Sequence, residues 1–150
     1  TSSLDLKLSP EDGERVERQI ADLRQLCWQA AGVERHGALL ARALAEVRRR
    51  RGLAEADPCL AIAMGLRPGQ RLALSEEERR QLLVRQNLRQ RLVLAELLIE
   101  AACFREESRG GHFRTDAPSA QPFWRCHTLQ EQGRGIHTGR VAQGLGTLPL

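Results

Sequence analysis

The chain has 150 residues, enough for one ordinary core, and a formal net charge of +4 carried almost wholly by arginine, with Lys7 the only lysine. Acidic residues are mixed among the arginines and aromatics make up only 3% of the chain, which argues against the basic, aromatic-studded face that nucleic acid would need. Glu96 and Glu100 break the longest apolar stretch well short of the roughly 20 residues of a membrane span, and no secretory signal is visible. Cys27, Cys59, Cys103 and Cys126 are scattered without a C-x-x-C pair and read as reduced thiols of a cytoplasmic protein. With Thr1 at its head, the chain reads as part of something larger.

Ser9-Pro10 opens the first predicted helix as an N-cap followed by proline, with Glu11 and Asp12 near the positive helix end. Val16, Ile20, Leu23, Cys27 and Ala30 recur at helical spacing on one face, Trp28 lies beside that stripe, and Gly32 ends the element. A second helix is predicted over residues 37–51, with Leu39, Leu40, Ala43, Leu44 and Val47 inward and Glu46 spaced to pair with Arg50. The four arginines at 48–51, followed by Gly52, read as a cationic last turn closing on a left-handed glycine. Residues 52–74 form an irregular connector with room for a short helix at 59–64.

Ser75 with Glu78 three residues on is a capping box, and a helix of about thirty residues is expected from there to about Glu106. Its first half places Leu82, Leu83, Leu88 and Leu92 against Arg85, Gln86, Arg89 and Gln90. Its second half, residues 92–104, is apolar almost all round, so two short partner helices cannot cover it and the domain must pack against a larger body. The fold class expected is all-α: a three-helix bundle of two shorter helices and one long one, followed by an extended charged segment and a Gly-rich tail. Residues 1–130 form the domain, and residues 131–150 are a loose or disordered tail.

The most informative run follows the long helix: Glu107, Ser108, Arg109, Gly110, Gly111, His112, Phe113, Arg114, Thr115, Asp116, Ala117 and Pro118, with Trp124 and His127 close behind. The glycine pair reverses the chain, after which His112, Arg114 and Asp116 alternate with less polar neighbours. Arg109 and Arg114 could grip a carboxylate or phosphate, but pairing with Glu107 and Asp116 is the commoner fate of such arginines, and His112 reads as a hydrogen-bonded interface residue. No catalytic, cofactor-binding or metal constellation is complete. The four histidines and Cys126 have no metal-ligand spacing, Gly144-Leu145-Gly146 is no dinucleotide fingerprint, and Ser108 lacks a nucleophile elbow.

The run E-S-R-G-G-H-F-R-T-D-x-P with Trp124-x-x-His127-Thr128-Leu129, and upstream Trp28-x-x-Ala31-Gly32-Val33-x-Arg35, resembles the C-terminal helical domain of the succinate dehydrogenase and fumarate reductase flavoproteins and, within that superfamily, of the L-aspartate oxidases. The resemblance covers roughly residues 14 to 130, and Ala117 stands where an aromatic is usual. It implies an FAD enzyme that oxidises L-aspartate to iminoaspartate, the first step toward quinolinate and NAD. The FAD-binding and capping domains, with the substrate residues, would lie outside this chain. The partner implied is the FAD-binding domain of the same enzyme, with neither nucleic acid nor a membrane span involved. Glu107, Arg109, His112, Arg114 and Asp116 would be interface residues toward that domain, and Trp124 and His127 would dock the return segment. A dehydrogenase subunit with an iron–sulfur partner and a freestanding interaction module are the alternatives.

Overall fold

A computed structural model describes residues 9–141 of the chain. Helix α1 spans Pro10–Ala31, strand β1 Glu34–Arg35, α2 Gly37–Glu55, α3 Pro58–Met64, α4 Glu76–Phe104 and β2 Phe113–Arg114; a 3-10 turn at Pro122–Trp124 leads into β3, Cys126–Glu131, and β4, Gly135–Arg140. The described residues are mainly helical but not all-α, and they hold four helices where three were expected: α1, α2 and α4 pack on one another, the short α3 packs against α4, and there are two small two-stranded sheets.

The three bundle helices start where their sequences direct. Ser9 caps α1 and exchanges bonds with Asp12, Ser75 does the same for α4 with Glu78, and the His36 imidazole accepts from Ala38 N–H at the head of α2. Val16, Leu23 and Ala30 of α1 meet Leu40, Ala43 and Val47 of α2 and Leu88, Leu92, Ala95, Ile99 and Ala102 of α4 in one core. Leu39 was expected inward but is 50% exposed, because the α2 stripe that faces the core is one residue wide at that turn.

Two expectations about α4 and α2 change for electrostatic reasons. Gln81 and Arg85 are buried while Leu83 faces out, so the first half of α4 turns a polar edge toward its neighbours. Asp57 draws it in: one carboxylate oxygen caps α3 by accepting from Cys59 N–H at 2.9 Å, and the other takes Arg85 Nε at 3.2 Å. Arg85 in turn reaches Gln81, whose side-chain amide donates to the Ser9 carbonyl at 2.8 Å, so one buried polar chain links α3, α4 and α1. Helix α2 does not stop at Gly52 but runs on to Glu55. The four arginines at 48–51 are ion-paired: Arg48 with Glu96 and Glu100 of α4, Arg51 with Glu96 and Glu55, and Arg49 and Arg50 with Glu46. The two acidic residues that interrupt the apolar half of α4 are therefore a clamp onto α2.

The tail expectation is corrected over residues 131–140, while residues 142–150 lie outside the described residues. β3 and β4 pair antiparallel from Cys126 opposite Arg140 to Glu131 opposite Gly135. Gly133 and Gly135, at φ 82° and 75°, make the reversal, so glycines that read as disorder are turn residues. Gln130 anchors the hairpin to α4 by donating to Glu100 at 2.8 Å.

Gly52 lies inside α2 with open space where a Cβ would stand. Gly52→Ala is therefore expected to raise stability by about 0.5–1 kcal/mol, read as a higher denaturation midpoint.

Candidate functional site

The charged segment begins where α4 ends. A helix leaves its last carbonyls without partners and carries partial negative charge there. Three groups answer that need. Arg105 N–H donates to the Ala101 carbonyl at 3.2 Å, Arg114 Nη1 donates to the Cys103 carbonyl at 2.9 Å and the Arg105 carbonyl at 3.2 Å, and His112 Nε2 lies 3.0 Å from that same Arg105 oxygen. Gly110, at φ 57°, lets the chain reverse so that Arg109 and His112 exchange backbone hydrogen bonds, which brings the imidazole and Arg114 back over the helix end.

Arg114 is 4% exposed. Its remaining guanidinium edge forms a fork to Asp116, Nε to Oδ1 at 3.1 Å and Nη2 to Oδ2 at 2.6 Å. Asp116 also accepts from Gly37 N–H at the first residue of α2, and the Arg114 fork together with that N–H holds its carboxyl well below the usual carboxylate range. A Cβ at Gly37 would lie 2.3 Å from Arg114 Nη2 and 2.7 Å from Asp116 Oδ2, so any larger residue there would displace the fork. β2 runs parallel to β1, Phe113 opposite Glu34 and Arg114 opposite Arg35, and Thr115 N–H donates to the Arg35 carbonyl at 2.8 Å. The polar side of the alternating segment thus points inward, since its partners are the helix ends.

Arg35, recognised in the sequence only as part of the upstream run, completes the joint. Its Nε donates to the Ala31 carbonyl, and its Nη1 lies 3.0 Å from His112 Nδ1 and 3.2 Å from the Gly111 carbonyl. Arg35 can only donate, so Nδ1 must accept and the His112 proton sits on Nε2, aimed at the Arg105 carbonyl. Burial pushes the His112 pKa below the ordinary 6.5, joined by the positive charges of Arg35, Arg114 and Arg105. The imidazole is a neutral bridge between the α1–α2 junction and the end of α4.

Glu107 is the second centre, fully buried. Arg109 forks onto it at 2.9 and 3.0 Å, Arg105 Nε donates at 2.9 Å, and Gln121 N–H donates at 2.8 Å. Arg109 first, then the Gln121 amide and Arg105, hold its pKa down to about 2 against the opposing effect of burial. Arg105 also donates to the carbonyls of Trp124 and Cys126 and lies 5.6 Å from the Trp124 ring, which meets Phe104 edge-on at 5.4 Å. Ser108 staples the loop, accepting from Arg114 N–H and donating to the Ala117 carbonyl, both at 2.8 Å.

The structure brings together Glu107, Ser108, Arg109, Gly110, Gly111, His112, Arg114, Asp116 and Trp124. His127 does not join them: it lies on the exposed face of β3, opposite Gly139, with no side-chain hydrogen bond among the described residues. Arg105 was missed, although an arginine two residues before a buried glutamate at a helix exit was visible. The partners of Glu107, Arg114 and His112 all lie within this chain, so the seam joins α4 to the α1–α2 junction and to the return segment. Among the described residues no strand–glycine turn–helix of the dinucleotide-binding kind forms: the parallel pair β1–β2 is two residues long, and the Gly110-Gly111 turn leads into a strand. Among the described residues no cluster of metal-ligating side chains forms, and no helix is long and apolar enough to cross a membrane.

Comparison with known proteins agrees with the resemblance carried by this segment. Residues 75–142 match the family described as fumarate reductase flavoprotein C-term. Among curated proteins, the chain is 31% identical to an L-aspartate oxidase of Nostoc sp. over 133 residues, 85% of this chain and 23% of that protein. It is 34% identical to an L-aspartate oxidase of Synechocystis sp. over 118 residues, 76% of this chain and 21% of that protein. The chain thus spans between a fifth and a quarter of the length of these relatives. No solved structure matches it significantly.

Removing the Glu107 charge leaves two guanidiniums facing a neutral amide in a buried position, so Glu107→Gln is expected to cost about 3 kcal/mol by chemical denaturation, while Glu106→Gln at an exposed neighbour stays near zero. A second expectation concerns pH. The folded pKa of His112 is lowered, so the stability it supplies is complete above 6.5 and is lost as pH falls through the lower folded value. The thermal midpoint should therefore drop as pH falls below 6.5, and His112→Gln should flatten that part of the profile.

Proposed function

We propose that this chain, which over residues 75–142 belongs to the fumarate reductase flavoprotein C-terminal family, is the helical C-terminal domain of an FAD-dependent L-aspartate oxidase. The observation that carries the proposal is the identity to two L-aspartate oxidases across most of this chain. The whole enzyme would oxidise L-aspartate to iminoaspartate in the cytoplasm, on the route to quinolinate and NAD. Its FAD would be bound by the domain this chain does not contain.

Under this reading the domain contributes shape more than chemistry. Its buried guanidiniums already meet carboxylates and carbonyls of the chain itself, so Arg114 has no free fork to offer a substrate. Arg109 is the member of the seam with an outward edge, its side chain 39% exposed, and would face the FAD-binding domain. The domain would brace that neighbour through the apolar outer side of α4.

The test is the full-length polypeptide, purified with its flavin. L-aspartate added without oxygen should bleach the flavin absorbance, and ammonia should appear as iminoaspartate hydrolyses, while succinate does neither. Bleaching by succinate alone would place the chain in a dehydrogenase with an iron–sulfur partner. A full-length product without flavin would leave a freestanding interaction module.

A further inference from the structure

An open groove of about 800 Å3 runs between α1 and α4, on the side of α4 turned away from α2. Trp28, Val33, Leu94 and Leu98 line it and are all more than half exposed, Trp28 at 71%. Apolar side chains of this size, gathered in one concave strip, are what soluble monomers avoid and what interfaces use.

The charges around the groove are one-sided. Of its fourteen lining residues three are arginines, Arg24, Arg35 and Arg91, and none is acidic. On the opposite side of α4, by contrast, arginines 48 to 51 all meet carboxylates. Among the described residues Arg24 and Arg91 have no carboxylate partner; Arg91 donates only to the Asn87 side-chain amide. Guanidiniums flanking an apolar strip specify an occupant with an apolar ridge and carboxylates along its edges.

We infer that the groove between α1 and α4 is the seat of an acidic-flanked, apolar segment of the FAD-binding domain of the same polypeptide, with Arg24 and Arg91 gripping its carboxylates. The inference rests on the reading of the chain as one domain of a longer flavoenzyme, and it names the face and the chemistry of the contact. Chain length argues for this occupant over a second copy: the relatives extend to more than four times the matched length, and a tethered segment has an effective concentration far above that of a free partner. The groove also lies beside the seam, since Arg35 and Gly111 line it. The lock between α4 and the α1–α2 junction therefore fixes the width of the seat.

Hydroxyl-radical labelling of the full-length protein tests this at Trp28. In the native state its labelling should fall about tenfold below that of the urea-unfolded chain, the equivalent of ~1.4 kcal/mol in closed over open forms. Charge reversal in the double variant Arg24→Glu, Arg91→Glu should restore most of the labelling, whereas Arg42→Glu, on α2, should leave it protected. Labelling of Trp28 as freely as its exposure here suggests would overturn the inference. So would protection that appears only with dimerisation at high concentration, or protection indifferent to the double reversal. Failure in an enzyme that still turns over L-aspartate strikes the groove assignment alone. Protection of Trp28 in a protein that does not turn over L-aspartate strikes only the substrate.

Discussion

The end of α4 is the constraint on which the rest of the domain depends. Twenty-nine residues of helix finish in the interior, against the α1–α2 junction, and their terminal carbonyls cannot be left to water. Arg114 and His112 satisfy them from the far side of a glycine turn, and the same two side chains reach Asp116, which accepts from the first N–H of α2, and Arg35 of β1, which donates to the Ala31 carbonyl at the end of α1. A single guanidinium that meets two carbonyls and a carboxylate fork uses all three edges of its plane, which an ammonium could not reproduce. The helix end, the parallel strand pair and the head of α2 are thus fixed together.

The remainder of α4 is held by the same means at two other levels. Midway, Glu96 and Glu100 take Arg48 and Arg51 from α2; nearer the start, Arg85 and Gln81 join Asp57 and the Ser9 carbonyl. Apolar packing lies between these polar ties on one side of the helix only. The opposite side keeps Leu94, Leu97 and Leu98 in the open, and no tie reaches it. A helix so firmly fixed on its inner side presents its outer leucines at a definite angle, which is what a rigid docking surface requires.

Much of this was legible in the sequence, for reasons that differ by element. Caps announce themselves locally, and Ser9 with Asp12 and Ser75 with Glu78 form as read. The excess of apolar residues on α4 was visible because no arrangement of two short helices could cover it. What periodicity misjudged were residues whose burial depends on distant partners: Arg85 reads as surface until Asp57, twenty-eight positions away, is folded against it. The hairpin of β3 and β4 was hidden because glycines lower apolar content wherever they occur, and only pairing distinguishes a turn glycine from a slack one. In the seam, the charged pairs were foreseeable from spacing, but the choice between a partner inside the chain and one outside was not.

That choice bears on what a segment so distinctive in type does within this fold. An active-site arginine must keep part of its fork free for substrate; Arg114 and Arg105 keep none. A general acid or base histidine needs a pKa near working pH and an exchangeable proton, yet His112 is fixed in one tautomer between a carbonyl and a cation, with burial pushing it further toward neutrality. The residue types are dictated instead by folding geometry. Glycine at 37 leaves room for the Arg114–Asp116 fork lying against its backbone, glycine at 110 suits a left-handed turn, and glutamate at 107 answers two guanidiniums and an amide converging on one buried point. A signature of this kind identifies a fold as sharply as a catalytic motif would, because its buried charged members must each find their partners at one helix end.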